Sequence, residues 1–144
     1  MIKKAVVEDS KIIAELAVLL WPKHDVDEMA MDFEEYINSN SGVVFIYFEG
    51  ETPVGFAQSN LRYDYVEGTK SSPVGYLEGI FVKEESRNKG IAKKLMASCE
   101  EWARVQGCTE FASDCELTNQ ESLNFHLNIG FQEANRVICF SKKI

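Results

Sequence analysis

Apolar positions along this chain alternate between helical and strand spacing, and the changes of period divide it into elements. Residues 2–7 read as a short strand. Asp9 or Ser10 then caps a helix whose apolar face runs Ile12, Ile13, Leu16, Ala17 and Leu20. Pro22 stops that helix and leaves Trp21 at its exit. A second helix is predicted from Asp25 to Asn38, with Met29, Phe33, Tyr36 and Ile37 on one side. The segment GVVFIYFEGETPVGFAQSNLRYDYV reads as two strands turning around Glu49–Gly50. After a polar loop, PVGYLEGIFV forms a third strand. A helix then runs to about Gln106 on a stripe of Ile91, Leu95, Met96, Cys99, Trp102 and Ala103, and Gly107 ends it. The strand TEFASD, a helix opening near Asn119 and a final strand FQEANRVICFSKK complete the order.

That order predicts one mixed α/β domain spanning 1–144. A chain of 144 residues buries about 70% of its unfolded surface, enough for a core without staples. The net charge of −8 argues against nucleic-acid binding, which rests on Lys and Arg, and suits cationic partners. Cys99, Cys108, Cys115 and Cys139 form no CxxC pair. No metal is expected, and all four read as reduced thiols in a cytoplasmic protein, with Cys115 and Cys139 in probable strands. MIKKAVVEDSKII lacks an uninterrupted apolar core, so no secretory leader is expected, and no apolar run is long enough to span a membrane.

The chemistry concentrates in SRNKGIAKKL, between a strand and a helix. Arg87, Gly90 and Ala92 give the pattern R-x-x-G-x-A. The first amides of a helix lack intrahelical acceptors and carry partial positive charge. Glycine lets an anion approach them closely, while Arg87, Lys89 and Lys93 add charge. The pattern alone fits either a polar turn or a pyrophosphate cradle. It is neither a Walker A loop nor a Rossmann fingerprint.

The strand ending GIFV, the R-x-x-G-x-A turn and the amphipathic helix together resemble the GCN5-related N-acetyltransferase (GNAT) superfamily. So does NQESLNFHLNIGF, with Asn119, Ser122, Phe125 and Gly130–Phe131. The runs LWPKH, YDYVEGTKSSPVGYLEGIFV, CTEFASD, NIGFQE and VICFSKKI are similar to aminoglycoside 6′-N-acetyltransferases over nearly the full length. The resemblance implies a mixed, mostly antiparallel sheet flanked by helices. It also implies a homodimer that moves acetyl from acetyl-coenzyme A to the 6′ amine of a polycationic antibiotic, by direct attack in a ternary complex and as a means of resistance. Backbone and side chains of Ile80, Phe81, Val82, Arg87, Asn88, Lys89, Gly90, Ile91, Ala92 and Lys93 would hold the coenzyme, with Asn119 on its arm or capping a helix. Acetylation of a polyamine, another small amine or a protein N-terminus is the nearest alternative. A non-catalytic acyl-coenzyme A-binding module is the alternative of another class.

Strand alternation places Glu78 on the side of Tyr76, Ile80 and Val82. A carboxylate there needs a partner, either Arg62 or Arg136 or, as the resemblance implies, an ammonium of the acceptor. Asp114 either caps a turn or contacts the amine-bearing sugar, where a carboxylate would serve as general base. Gly79 suits a bulged strand. Trp21, His24 and Tyr65 match substrate-contacting positions of the resembled family. His126 stands where many superfamily members carry a tyrosine that protonates the leaving thiolate, and is either that donor or a packed helix residue. Asn135 replaces an acid, which implies a lost cation contact.

Overall fold

The computed structural model describes residues 1–144. Its strands are β1 (Ile2–Lys4), β2 (Gly42–Glu49), β3 (Thr52–Arg62), β4 (Val74–Val82) and β5 (Phe111–Ala112). They lie in that order in one open sheet. The first four are antiparallel, and β5 runs parallel to β4. The helices are α1 (Ser10–Leu20), α2 (Val26–Asn38), α3 (Ile91–Val105) and α4 (Gln120–Asn128). This is the mixed α/β domain that the pattern predicts, with the mostly antiparallel sheet and flanking helices that the resemblance implies. No helix is long and apolar enough to cross a membrane.

Period-two alternation sends the two faces of the sheet to different helices. Val44, Ile46 and Phe56 pack with Ile13, Leu16 and Ala17 of α1 and Met29 and Phe33 of α2. On the opposite face Ala57, Leu77 and Val82 pack under Ile91, Leu95, Met96 and Cys99 of α3. Trp102 and Ala103 extend that layer to Val43 and Cys108. The apolar stripe read from the α3 sequence is therefore its buried face. Tyr36 on α2 donates its hydroxyl to the Ser59 carbonyl at 2.6 Å, tying α2 to β3. Burial, with the Glu78 charge nearby, pushes its phenol well above the ordinary range.

One irregularity changes the sequence reading of β4. Gln58 pairs with Gly79 but Ser59 with Leu77, so Glu78 is an extra residue in the strand. The bulge reverses the phase of alternation. Ile80 and Val82 lie with Leu77 on the α3 face, and Phe81 joins the α1–α2 face. The expectation that Glu78 shares a side with Ile80 and Val82 is thus corrected.

Three other expectations change. The first strand stops at Lys4, because the Asp9 carboxylate takes the Val6 amide at 2.9 Å and Lys3 Nζ at 2.8 Å. Asp9 therefore turns away from the amides of α1 and does not cap it by side chain. The final strand is absent: residues 131–144 have no regular structure. Their composition is strand-like, but a strand exists only where its ladder hydrogen bonds are made, and the tail pairs with no strand of its own chain. Cys139 on that tail, and Cys115, are accordingly exposed and outside any strand, whereas Cys99 and Cys108 are buried.

At Gly75 β4 lies close against β5 and α3. A Cβ there would lie 2.6 Å from the Phe111 ring and 2.8 Å from the Ala103 methyl. Gly75→Ala is expected to cost about 1–3 kcal/mol of stability through overpacking and to dislodge β5. Urea unfolding measures the loss.

Candidate active site

β4 and β5 pair only at Gly75–Phe111 and Tyr76–Ala112. Beyond Tyr76 that edge of β4 has no strand partner, and a cavity of about 550 Å³ opens beside it. Ile80, Phe81 and Val82 form one wall, and Arg87, Asn88, Gly90, Ile91, Ala92 and Lys93 close one end. Leu19 and Leu20 of α1 and Asn119, Ser122 and Phe125 of the α4 region also line it. Ten of the eleven residues expected to hold a coenzyme therefore face one space.

Local backbone geometry explains the closed end. Asn88 and Gly90 both have positive φ, 63° and 79°, and Gly90 is the N-cap of α3. Alternation of left-handed residues turns successive amides toward one point, an arrangement that suits an anion. A Cβ on Gly90 would meet nothing within 4 Å, so the approach to these amides is open. Arg87 Nε donates to the Val82 carbonyl at 2.8 Å, which locks the turn to the last residue of β4. Lys89 is the exception. Its Nζ lies 3.2 Å from a Glu49 carboxylate oxygen on the β2–β3 turn, outside the cavity. Asn119 caps α4 by accepting from the Ser122 amide at 3.0 Å and also lines the cavity.

The bulge builds the acidic side of the site. Glu78 is partly buried and accepts from Arg62 Nη2 at 2.9 Å, so of its two possible arginine partners the nearer is engaged. The Arg62 guanidinium lies 3.4 Å from the centroid of the Tyr76 ring, and the Tyr76 hydroxyl donates to Asp114 Oδ2. Burial and the bonded Asp114 carboxylate hold the Tyr76 phenol well above its usual range, so it stays a protonated donor. Burial works against the Arg62 charge, but the bond to Glu78 and the surrounding acids outweigh it and raise its pKa. Sequence reasoning did not assign Tyr76 to the site. Its position two residues before Glu78, on the same face, was the available signal.

Trp21 lies against the bulge. A Cβ on Gly79 would stand 2.6 Å from its ring, and the ring meets Phe56 edge-on at 6.2 Å. Trp21 and His24 line a smaller cavity of about 240 Å³ with Met29, Asp32, Phe33, Tyr36 and Gln58. Tyr65 is exposed on the loop after β3, outside both cavities. Asn135 is also apart, donating to Glu67 at 3.2 Å.

His126 is held on both nitrogens. Nδ1 is 2.6 Å from the Ser122 carbonyl, which only accepts, so Nδ1 carries the proton. Nε2 then accepts from the Ser113 hydroxyl at 2.7 Å. The ring sits between Phe125 and Phe131 and does not line the larger cavity. Of the two readings of His126, these contacts favour the packed helix residue.

The sequence and this geometry have known counterparts. Residues 11–131 match the model of the acetyltransferase (GNAT) family. An aminoglycoside N(6')-acetyltransferase type 1 from Salmonella typhimurium is 41% identical over 124 residues, covering 86% of each chain. Its namesake from Acinetobacter baumannii is 41% identical over 130 residues, 90% of this chain and 88% of the relative. Among solved structures, AAC(6')-Iy in complex with the bisubstrate analogue CoA-S-monomethyl-acetylneamine superimposes with a TM-score of 0.95 at 37% identity, over 100% of this chain and 98% of the other. AAC(6')-Ih from Acinetobacter baumannii does so with a TM-score of 0.94 at 37% identity, with the same coverage. With its cavity at the splayed strands and relatives this similar over most of their length, the chain belongs to the acetyltransferase (GNAT) family and, within it, groups with the aminoglycoside N(6')-acetyltransferases.

Proposed function

We propose that this chain, acting as one domain, transfers acetyl from acetyl-coenzyme A to the 6′ amine of aminoglycosides by direct attack in a ternary complex. The observation that carries this reading is a cleft that joins a phosphate-accepting turn to an unpaired strand edge. The Glu78 and Asp114 carboxylates lie outside its lining, linked through Arg62 and Tyr76 where that edge begins. The left-handed Asn88 and Gly90 and the open approach to Gly90 fit the coenzyme's pyrophosphate. The unpaired edge at Ile80–Val82 offers main-chain groups to its extended arm, and Asn119 and Ser122 face the same space. Acetyl-coenzyme A supplies an activated thioester, and the chain's own residues orient the acceptor and move its proton.

The attacking amine must be neutral. Asp114 presents a carboxylate whose Oδ2 is held by Tyr76, leaving Oδ1 without a protein partner and able to take that proton. Glu78 holds a second ammonium of the acceptor. Trp21 and His24 offer an apolar face and a polar edge to its sugar. Tyr65 and Asn135 border the same acceptor from the loop after β3 and the tail. Amides 80–82 and 88–93 orient the thioester, and proximity supplies much of the remaining rate. Acetylation removes the positive charge of the amine, which is how such an enzyme confers resistance. The setting is the cytoplasm, where thiols such as Cys99 and Cys108 stay reduced.

A homodimer is part of this reading. Val137, Ile138 and Phe140 on the tail are 68%, 80% and 89% exposed, and such a strand-like apolar run is stabilised by a second copy.

Three experiments test these statements. Thiol release from acetyl-coenzyme A is expected to be fast with kanamycin and tobramycin and slow with spermidine or a peptide, with NMR placing the acetyl group on the 6′ nitrogen. Turnover confined to spermidine or the peptide would reject the antibiotic acceptor. Asp114→Asn is expected to lower kcat at least about a hundredfold, the usual scale for losing a general base, with little change in the KM for acetyl-coenzyme A. Removing residues 137–144 is expected to convert a dimer to a monomer in sedimentation velocity. A full-length chain that already sediments as a monomer would end the dimer reading.

A further inference from the structure

The acceptor reading leaves Arg62 unexplained, although it sits at the centre of the acidic site. It is the last residue of β3. Its guanidinium contacts Glu78 at 2.9 Å and lies flat on the Tyr76 ring at 3.4 Å from the centroid, while Tyr76 in turn holds Asp114. Arg62 thus holds Oε1 of the carboxylate that a substrate ammonium would meet and offsets its charge. The side chains of Arg62 and Glu78 remain 41% and 29% exposed, so an incoming cation can reach the pair. Unlike a lysine or histidine, arginine cannot leave such a pair by losing its proton, so it has to be displaced.

We propose that Arg62 is a resident counter-ion that competes with the acceptor for Glu78, and so selects acceptors carrying a second ammonium. This rests on the aminoglycoside reading for the identity of the acceptor. The selection follows from charge counting. The amine that attacks is neutral and lies at Asp114, so it cannot also displace a guanidinium from Glu78. An acceptor with one amine leaves Arg62 in place. An acceptor with several displaces it along the Tyr76 ring and gains Glu78. In the free protein Arg62 meanwhile spares Glu78 the cost of a partly buried, uncompensated carboxylate. Its aromatic plate offers the displaced cation a second resting position. Arg62 is thus a specificity-determining residue whose own charge opposes substrate binding.

The sign of one substitution tests this. Arg62→Gln is expected to lower the KM for kanamycin about five- to tenfold, the range for freeing a half-exposed ion pair with an aromatic contact. The KM for a methyl 6-amino-6-deoxyglucoside, with one amine, should move far less, and the ratio of the two is the readout. Arg62→Lys keeps the charge and is expected to restore most of the wild-type ratio. A KM for kanamycin that rises in Arg62→Gln, or falls equally for both acceptors, overturns the proposal, because Arg62 would then bind substrate or support the fold. Wild-type turnover of kanamycin judges the aminoglycoside reading separately. Should that fail, calorimetry with spermine still decides the matter, since a resident counter-ion requires tighter spermine binding to Arg62→Gln than to wild type. Equal or weaker binding would overturn it.

Discussion

The site depends on one extra residue in β4. If the register of β3 and β4 continued without the bulge at Glu78, period-two alternation would turn Ile80 and Val82 toward α1 and Phe81 toward α3. Val82 would then leave the layer under Leu95 and Met96, and Phe81 would leave the α1 side. The bulge lets the same strand be core wall before and after Glu78 while both Glu78 and Gly79 face the acceptor side. That double exposure requires glycine at position 79, because the Trp21 ring occupies the space a side chain would need. Trp21 stands there because Pro22 ends α1 at this point and Phe56 meets the ring edge-on. A break in one hydrogen-bond ladder therefore fixes a carboxylate, an aromatic wall and the entry to the cavity together.

Tyr76 marks the other boundary. It is the last residue of β4 paired to β5, and past it the strands separate and the cavity begins. Its ring is buried, so ionisation is costly and the hydroxyl remains a donor to Asp114. One side chain thus closes a minor cluster with Val66 and Val74, carries the Arg62 guanidinium on its face and orients a carboxylate at its tip. Its packing and its site contacts use different parts of the same ring, so stability and chemistry do not compete there.

Much of this was legible in the sequence where the signal is periodic or local. The stripe Ile91 to Ala103, the hairpin at Glu49–Gly50 and the glycine at the start of α3 each express a rule that acts within a few residues. Gly79 marked a bulge that the structure contains, but the phase of β4 beyond it was misread, because counting alternate residues assumes an uninterrupted ladder. Lys89 looked like part of the cradle by proximity in sequence, yet its side chain meets Glu49 on a turn forty residues earlier. His126 could be read either as a proton donor or as a packed helix residue, and only the fold shows its ring bonded to the Ser122 carbonyl and Ser113. The tail VICFSKK has every local property of a strand. What it lacks is a partner strand, and pairing belongs to tertiary or quaternary structure and not to the segment itself.

Charge works at two ranges in this protein, and the ranges have different consequences. The surplus of −8 attracts polycations from solution, but across a Debye length of about 8 Å at physiological salt it acts on encounter and not on choice. Choice is made where desolvation gives individual pairs weight. There the acidic site is already compensated: Arg62 neutralises Glu78, and Tyr76 holds one oxygen of Asp114. A cation therefore does not fall into an open negative pocket. With Arg62 as the proposed resident counter-ion, a cation must exchange with it, and the difference between those two pairings, not the sum of the acids, would set its affinity. On that proposal an acidic surface with an internally neutral site draws many amines near and retains only those with charges enough to displace the one already present.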